Sequence, residues 1–262
     1  MTQRPDYSDL TARTTSAVVM VVVAGVALWQ GGIIFDILLL IAGGLMVWEV
    51  SAMHRSDTKA AMVIAAIAGV LLACLFFLPQ FIPAYIPLVG MLVFAIIASL
   101  LHEKKHQKTV AMGLLAVFAT AGVLSELRTD HGLVVTLWIL LCISASDVGG
   151  YFAGKTFGGP KLWTRISPKK TWSGTIGGWI FATFVGACFY YFGAQPVWFI
   201  PASVLVAMAA QSGDLAESAM KRRAGIKDSS HLIPGHGGLL DRFDGALGVC
   251  TAILVLAFLG IV

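Results

Sequence analysis

Asp214 lies deep in the largely apolar stretch 197–220. A carboxylate is costly at such a place, so it faces a cavity and has a partner. Successive helical residues turn by about 100°, which puts Asp214, Glu217, Ser218 and Lys221 on one face, with the ammonium at its mouth. A structural reading, in which Asp214 pairs with Lys221 or another helix to hold a bundle, stands beside a catalytic one. Downstream, Lys221, Arg222, Arg223 and Lys227 precede Pro234-Gly235-His236-Gly237-Gly238, and Asp241 and Asp244 follow where the last apolar stretch begins. The glycine turn allows close backbone approach to a ligand. Carboxylates without paired cysteine or histidine ligands suit a hard cation such as magnesium rather than zinc. His236 either donates a hydrogen bond to a phosphate or shapes the turn.

A second segment, Ser167-Pro168-Lys169-Lys170-Thr171-Trp172-Ser173-Gly174, precedes another apolar stretch. Backbone N–H groups at a helix start, backed by ammonium groups, cradle phosphate. The plainer reading is a basic loop with a helix cap. Taken together, buried acids, a cationic loop and a glycine turn describe metal-assisted phosphoryl or nucleotidyl transfer. The acids would hold magnesium, the lysines and arginines phosphates, and the apolar setting implies a lipid substrate.

The elements that position these residues follow from composition. Hydrophobic residues make up 58% of the 262 and charged ones 12%, with a mean hydropathy of +0.85. Soluble domains carry about 25% charged residues, which excludes a chain that faces water alone. The expected class is an all-α polytopic membrane protein with about nine transmembrane helices. They fall near 17–30, 33–53, 60–78, 82–101, 110–124, 133–153, 175–192, 197–220 and 246–262, with Pro79, Pro83 and Pro87 breaking the chain between the third and fourth. The polar opening 1–15 has no cleavage site after it, so the first stretch is expected to be retained. With nine crossings every Lys and Arg except Arg128 falls on the side of the N-terminus, Arg4 and Arg55 included. The positive-inside rule makes that side cytoplasmic, leaving the C-terminus outside. Residues 1–132 then read as helices for anchoring or dimerisation and 133–262 as a catalytic region with cytoplasmic nucleotide-binding loops. The cysteines Cys74, Cys142, Cys188 and Cys250 lie in apolar segments without ligand spacing and read as packing residues.

The run 218–244 resembles the signature of the phosphatidate cytidylyltransferase family. Ser218, Lys221, Arg222, Lys227, Asp228, Pro234, His236, Gly237, Gly238, Asp241, Arg242 and Asp244 stand where that pattern has them. Gln211 to Ser218, Ser167 to Thr171, and Asp147-Val148-Gly149-Gly150-Tyr151 ahead of Gly154-Lys155 also resemble it, so the likeness covers the second half. The sequence departs at Ser173, where the family commonly has glutamate. The resemblance implies a bacterial inner-membrane homodimer, with its active site facing the cytoplasm, that makes CDP-diacylglycerol and pyrophosphate from CTP and phosphatidic acid among membrane lipids. It also implies Mg2+ as cofactor, one or two divalent ions with room for a monovalent one, and no nucleic acid. By position, Asp214 and Asp241 would be the paired metal carboxylates, with Asp244 a further ligand, and Lys221 would contact the nucleotide. Lys169, Lys170, Thr171, Ser218, Arg222, Lys227, Asp228, His236, Gly237 and Gly238 would bind nucleotide or phosphate. Asp147, Ser167 and Glu217 would support them from behind.

Other readings predict different patterns. A transporter needs polar residues along a route through the bilayer, whereas the outer connections carry little charge beyond Asp36, Glu126, Arg128 and Asp130, and Glu49 is a stray acid in the second stretch. Asp241-Arg242-Phe243-Asp244-Gly245 is similar to the start of the CDP-alcohol phosphotransferase motif, but the rest of that motif is absent after Gly245. A CTP-dependent polyprenol kinase is the closer rival and would release CDP rather than pyrophosphate.

Overall fold

The structure is a computed structural model that describes residues 7–54, 57–78, 81–83 and 85–261, with side chains from Arg13 onward. Arg4 and Arg55 of the charge pattern, Pro79, and the ends of the chain at 1–6 and 262 lie outside the described residues. Among the described residues the backbone forms nine α-helices: α1 (Tyr7–Gln30), α2 (Gly32–Ala52), α3 (Thr58–Phe77), α4 (Tyr85–Leu100), α5 (Lys104–Glu126), α6 (Gly132–Phe157), α7 (Trp172–Gly193), α8 (Phe199–Arg223) and α9 (Leu240–Phe258). Each of the nine expected stretches falls on one of them. Six continuous helical stretches are long and apolar enough to cross a membrane: α1, α2, α3, α7, α8, and the 54-residue run Lys104–Phe157, which α5 and α6 share. A π-helical turn, Leu127–His131, links those two. The other two helices fall short for separate reasons: α4 has 16 residues, and α9 opens on the charged sequence Leu240-Asp241-Arg242-Phe243-Asp244.

The distribution of side-chain size fits lipid better than water. Val21, Val70, Phe184 and Leu205 are exposed on their helices, whereas Ala61, Ala68, Ala95 and Ala207 are fully buried. Exposed apolar surface on this scale needs an apolar environment, and helices in a bilayer meet through small residues that let backbones approach. The seam of α6 and α7 follows that rule, with the backbone of Gly150 against Gly174 and that of Gly149 against Gly177.

Helix starts are set by local chemistry. Asp57 caps α3, accepting from Lys59 N at 3.0 Å and Ala60 N at 3.3 Å. Thr171 caps α7 by accepting from Gly174 N at 3.2 Å. One feature departs from an all-helical expectation. The connection between α6 and α7 contains an antiparallel hairpin, β1 (Lys161–Trp163) and β2 (Ser167–Thr171), with Lys161 opposite Thr171 and Trp163 opposite Ser167. The Ser-Pro-Lys-Lys-Thr string is therefore a strand running directly into a capped helix.

The chain divides into two compact units, Met1–Ala121 with Ala224–Arg242, and Gly122–Arg223 with Phe243–Val262. The glycine-rich segment thus packs with the first unit.

That unit also holds a histidine cluster outside the apolar stretches. His54 and His106 have ring centroids 4.8 Å apart. Nδ1 of His54 meets the Val50 carbonyl at 3.1 Å, and Nε2 of His102 meets the Ser51 carbonyl at 3.4 Å. His54 Nε2 and His106 Nδ1 are buried without a hydrogen-bond partner. Burial lowers the pKa of His54 below the ordinary 6.5, the Val50 carbonyl opposes that shift, and His106 and His102 add to it. A lowered histidine pKa means that the fold favours the neutral ring, so its stability is complete above pH 6.5 and falls as pH drops below it. The melting temperature in detergent should decline between pH 7 and pH 5, and His54→Phe should flatten that decline. An unchanged acid slope in His54→Phe would remove His54 as its source.

Candidate active site

In the second unit, α8 presents Asp214, Glu217, Ser218 and Lys221 along one face, as the helical period requires. Glu217 pairs with Lys221 at 2.7 Å, one turn away, and both side chains are largely buried. Ser218 Oγ donates to Asp214 Oδ1 at 3.3 Å. Asp214 is ion-paired with Lys170 from the end of β2, each about a quarter exposed. Of the structural partners considered for Asp214, Lys221 or another helix, Lys221 pairs with Glu217, and Asp214 takes a cation from the hairpin. The hairpin is held in place from the other side, because Ser173 donates to the Gly158 carbonyl and meets Thr171 Oγ1 at 3.0 Å. A glutamate at position 173 could not donate that bond, so Ser173 serves the hairpin rather than the acids.

Asp214, Glu217 and Asp244 form a cluster in which one carboxylate oxygen from each lies within 4.8 Å of the others. Two glycines create this proximity. A Cβ on Gly213 would stand 2.5 Å from Gly248 N and 2.7 Å from Gly248 Cα, so α8 and α9 touch backbone to backbone beside the acids. Gly213→Val should wedge them apart, costing about 1–3 kcal/mol of stability and, beyond that, the geometry of the cluster. The expected readout is a folded, detergent-soluble protein with little activity. Wild-type turnover in that variant would show that the contact is not needed.

A divalent ion fits this donor set. Three carboxylates offer hard oxygen ligands, as magnesium prefers. Lys170 pairs with Asp214 and Lys221 with Glu217, and a divalent cation among the three acids would offset the repulsion that close carboxylates face.

A cavity of about 450 Å³ opens beside Asp214 and is lined by Asp147, Tyr151, Lys155, Lys169, Lys170, Thr171, Thr175 and Gln211 among others. It unites the end of α6, the hairpin and the start of α7 with α8, which lies farther along the sequence. Gln211 braces its floor, donating to Ser146 Oγ and to the Thr175 carbonyl at 3.2 Å each and accepting from Trp179 Nε1 at 3.0 Å. Of the expected support residues, Asp147 lines the cavity and Glu217 joins the acid cluster. Ser167 stands at the start of β2, opposite Trp163. Arg222 is exposed on the last turn of α8.

In the first unit, Ile233-Pro234-Gly235-His236 closes a turn through the bond from His236 N to the Ile233 carbonyl at 2.9 Å. Gly235 has φ +74°, and proline precedes it, as a type II turn demands. Asp241 belongs to this first unit. Its Oδ2 accepts from Ser229 N at 2.9 Å, Ser229 Oγ at 3.0 Å and Gly238 N at 2.8 Å, tying the two ends of the loop together. Gly238 lies against Ser229 and Glu49 so closely that a Cβ has no room. Lys227, Asp228, His236 and Gly237 line a second cavity, also of about 450 Å³, together with Arg13, His231 and Arg242.

Sequence reasoning passed over Glu49 as a stray acid. Its side chain is fully buried. Oε1 accepts from Ser230 Oγ at 2.5 Å and Leu239 N at 2.8 Å, and Oε2 from Leu240 N at 2.6 Å. The available signal was an acid in an apolar stretch, the same signal that singled out Asp214. Ser16 was also missed: its Oγ lies 2.9 Å from His236 Nδ1.

The chain resembles curated proteins over about half of its length. It is 42% identical to the phosphatidate cytidylyltransferase of Brucella suis biovar 1 (strain 1330) over 147 residues, 55% of this chain and 54% of that protein. To the phosphatidate cytidylyltransferase of Haemophilus influenzae it is 41% identical over 156 residues, covering 52% and 54%. The Bacillus subtilis (strain 168) protein of the same name is 39% identical over 123 residues, 46% of each chain. The chain spans about half the length of the curated relatives it matches. The model of the cytidylyltransferase family, by contrast, matches nearly everything, residues 11–261, so the chain belongs to the cytidylyltransferase family.

Proposed function

We propose that this chain transfers the cytidylyl group of CTP to phosphatidic acid, giving CDP-diacylglycerol and pyrophosphate. The observation that carries this reading is Asp214, an acid in an apolar helix, paired with Lys170 beside a cavity and clustered with Glu217 and Asp244. Family membership and the names of the relatives support the choice of nucleotide and lipid.

In the reaction a phosphate oxygen of phosphatidic acid forms a bond to the α-phosphorus of CTP. The bond from that phosphorus to the oxygen bridging toward the β-phosphate breaks, and pyrophosphate leaves with the electron pair. The nucleophile is already anionic near neutral pH, so no general base is required. The barrier is repulsion between two polyanions, and ordered cations lower it. Lys169, Lys170 and Lys155 line the cavity beside Asp214 and hold phosphate oxygens there. Lys221, fixed by Glu217, keeps its ammonium at the acid cluster. Magnesium held by Asp214, Glu217 and Asp244 would supply Lewis-acid stabilisation of the developing charge.

The setting proposed for this chemistry is the cytoplasmic face of a bacterial inner membrane, in a homodimer with nine crossings. Within the first unit, Arg13, the end of α2 and the connection before α5 all meet the glycine-rich loop or one another at the same end, which supports a shared cytoplasmic face. A single cysteine placed at Gln195 should react with an impermeant maleimide from outside intact cells, and one at Lys104 only after lysis. The reverse pattern would overturn the orientation.

The activity is tested on purified, detergent-solubilised protein with magnesium, phosphatidic acid and CTP labelled in the cytosine ring. Label should enter the organic phase in step with pyrophosphate release. Release of CDP with a polyprenol acceptor, and no labelled lipid, would replace the transferase reading with a kinase.

A further inference from the structure

The cavity of the first unit has a composition of its own. Arg13, Lys227 and Arg242 supply fixed positive charge, His231 and His236 supply imidazoles, and Asp228 is the one acid among its lining residues. Cations gathered around a concavity attract and order anions. Arg13 comes from α1, far from the signature in sequence, yet it is built into the loop. Its side chain lies across Gly235, where an added Cβ would stand 3.4 Å from both Cβ and Cδ of Arg13. One turn along α1, Ser16 Oγ lies 3.0 Å from the carbonyls of Arg13 and Pro234 and 2.9 Å from His236 Nδ1. Carbonyls only accept, so the single hydroxyl hydrogen goes to them and His236 donates from Nδ1. The ring is thereby fixed at the edge of the cavity.

We infer that Arg13 of α1 is a further phosphate-binding residue at this cavity, beside Lys227 and His236, which the family signature already marks. The inference rests on the nucleotidyl-transfer reading and deepens it, because it gives the N-terminal helix a share in substrate binding rather than anchoring alone. The ligand chemistry is a phosphate group carrying more than one negative charge, which suits a forked guanidinium. Two sources have that chemistry, the terminal phosphates that leave as pyrophosphate and the headgroup of the lipid.

The test uses the full chain in detergent with no turnover. Inorganic pyrophosphate and dioctanoyl phosphatidic acid are titrated separately by calorimetry into wild type, Arg13→Ala and Arg13→Lys. Because Arg13 also packs across Gly235, the melting temperature of each variant is measured first and binding is read well below it. At least one anion should bind wild type. Arg13→Ala should weaken that binding about tenfold or more, as loss of a charge-assisted contact does, and Arg13→Lys should recover part of it. A loss confined to pyrophosphate assigns the subsite to the polyphosphate, and a loss confined to phosphatidic acid assigns it to the lipid. Equal affinities in wild type and Arg13→Ala, or no binding of either anion to wild type, overturn the inference. Because binding is read without CTP, failure of the cytidylyl transfer itself would be a separate result.

Discussion

Asp214→Asn should reduce turnover by more than about 100-fold while the protein still inserts and folds. The size follows from position: even residues that only orient metal ligands change activity by about 10–100-fold, and Asp214 is proposed as a ligand itself. The substitution keeps the volume and an oxygen for Ser218 Oγ, which now lies 3.3 Å from Asp214 Oδ1. What it removes is the charge that pairs with Lys170 and draws a divalent cation toward Glu217 and Asp244. The structural alternative, an ion pair that only fastens the hairpin to α8, predicts something else. Under that alternative the double variant Lys170→Met with Asp214→Asn has no unpaired charge and should regain activity. Under the proposed role it stays inactive, and the concentration of magnesium needed for residual turnover rises in Asp214→Asn. Turnover within tenfold of wild type in Asp214→Asn would reject Asp214 as a metal ligand.

How much of this was visible in the sequence depended on the range of the interaction. Helix positions were legible because apolar stretches carry their own length signal, and each of the nine falls largely on one of α1 to α9, though α4 and α9 fall short of a spanning length or composition. The face formed by Asp214, Glu217, Ser218 and Lys221 was legible because it is set by one helix's period. Partner choice was not. The Lys170–Asp214 pair depends on a hairpin turning back to α8, and neither its strands nor their register is marked by alternation over so few residues. Glu49 and Ser230 are separated by 181 positions, and nothing local to either announces the bond. The same applies to Asp241, which in sequence is one of two similar acids near the start of α9. In the structure it caps the loop through Ser229 and Gly238, while Asp244 joins the carboxylate cluster. Spacing identified the acids, and only tertiary packing gave each its neighbours.

Replacing Glu49 should produce the second large effect, and through a different cause. The first backbone N–H groups of a helix lack partners within it. At α9 two of them, from Leu239 and Leu240, end on the Glu49 carboxylate, and Ser230 Oγ adds a third bond. A carboxylate at that end also meets the positive pole of the helix dipole, which helps offset the cost of burying its charge. In Glu49→Gln the amide nitrogen replaces one acceptor with a donor, so at least one buried N–H loses its partner, at about 1–3 kcal/mol. Glu49→Leu loses all three bonds, and the cost rises in proportion. The loop between α8 and α9 should then become sensitive to protease, and phosphate binding in the cavity of Lys227 and His236 should weaken with it. Purely global destabilisation would instead lower the melting temperature while leaving the kinetic constants of each folded molecule unchanged. The discriminating measurement is kcat/KM for CTP per correctly folded molecule, compared across Glu49→Gln, Glu49→Leu and Glu49→Asp. A graded loss, largest for leucine and smallest for aspartate, with protease cleavage between Ala224 and Leu239, marks Glu49 as the residue that positions the loop. Unchanged kcat/KM in all three variants would leave it a stabilising cap and nothing more.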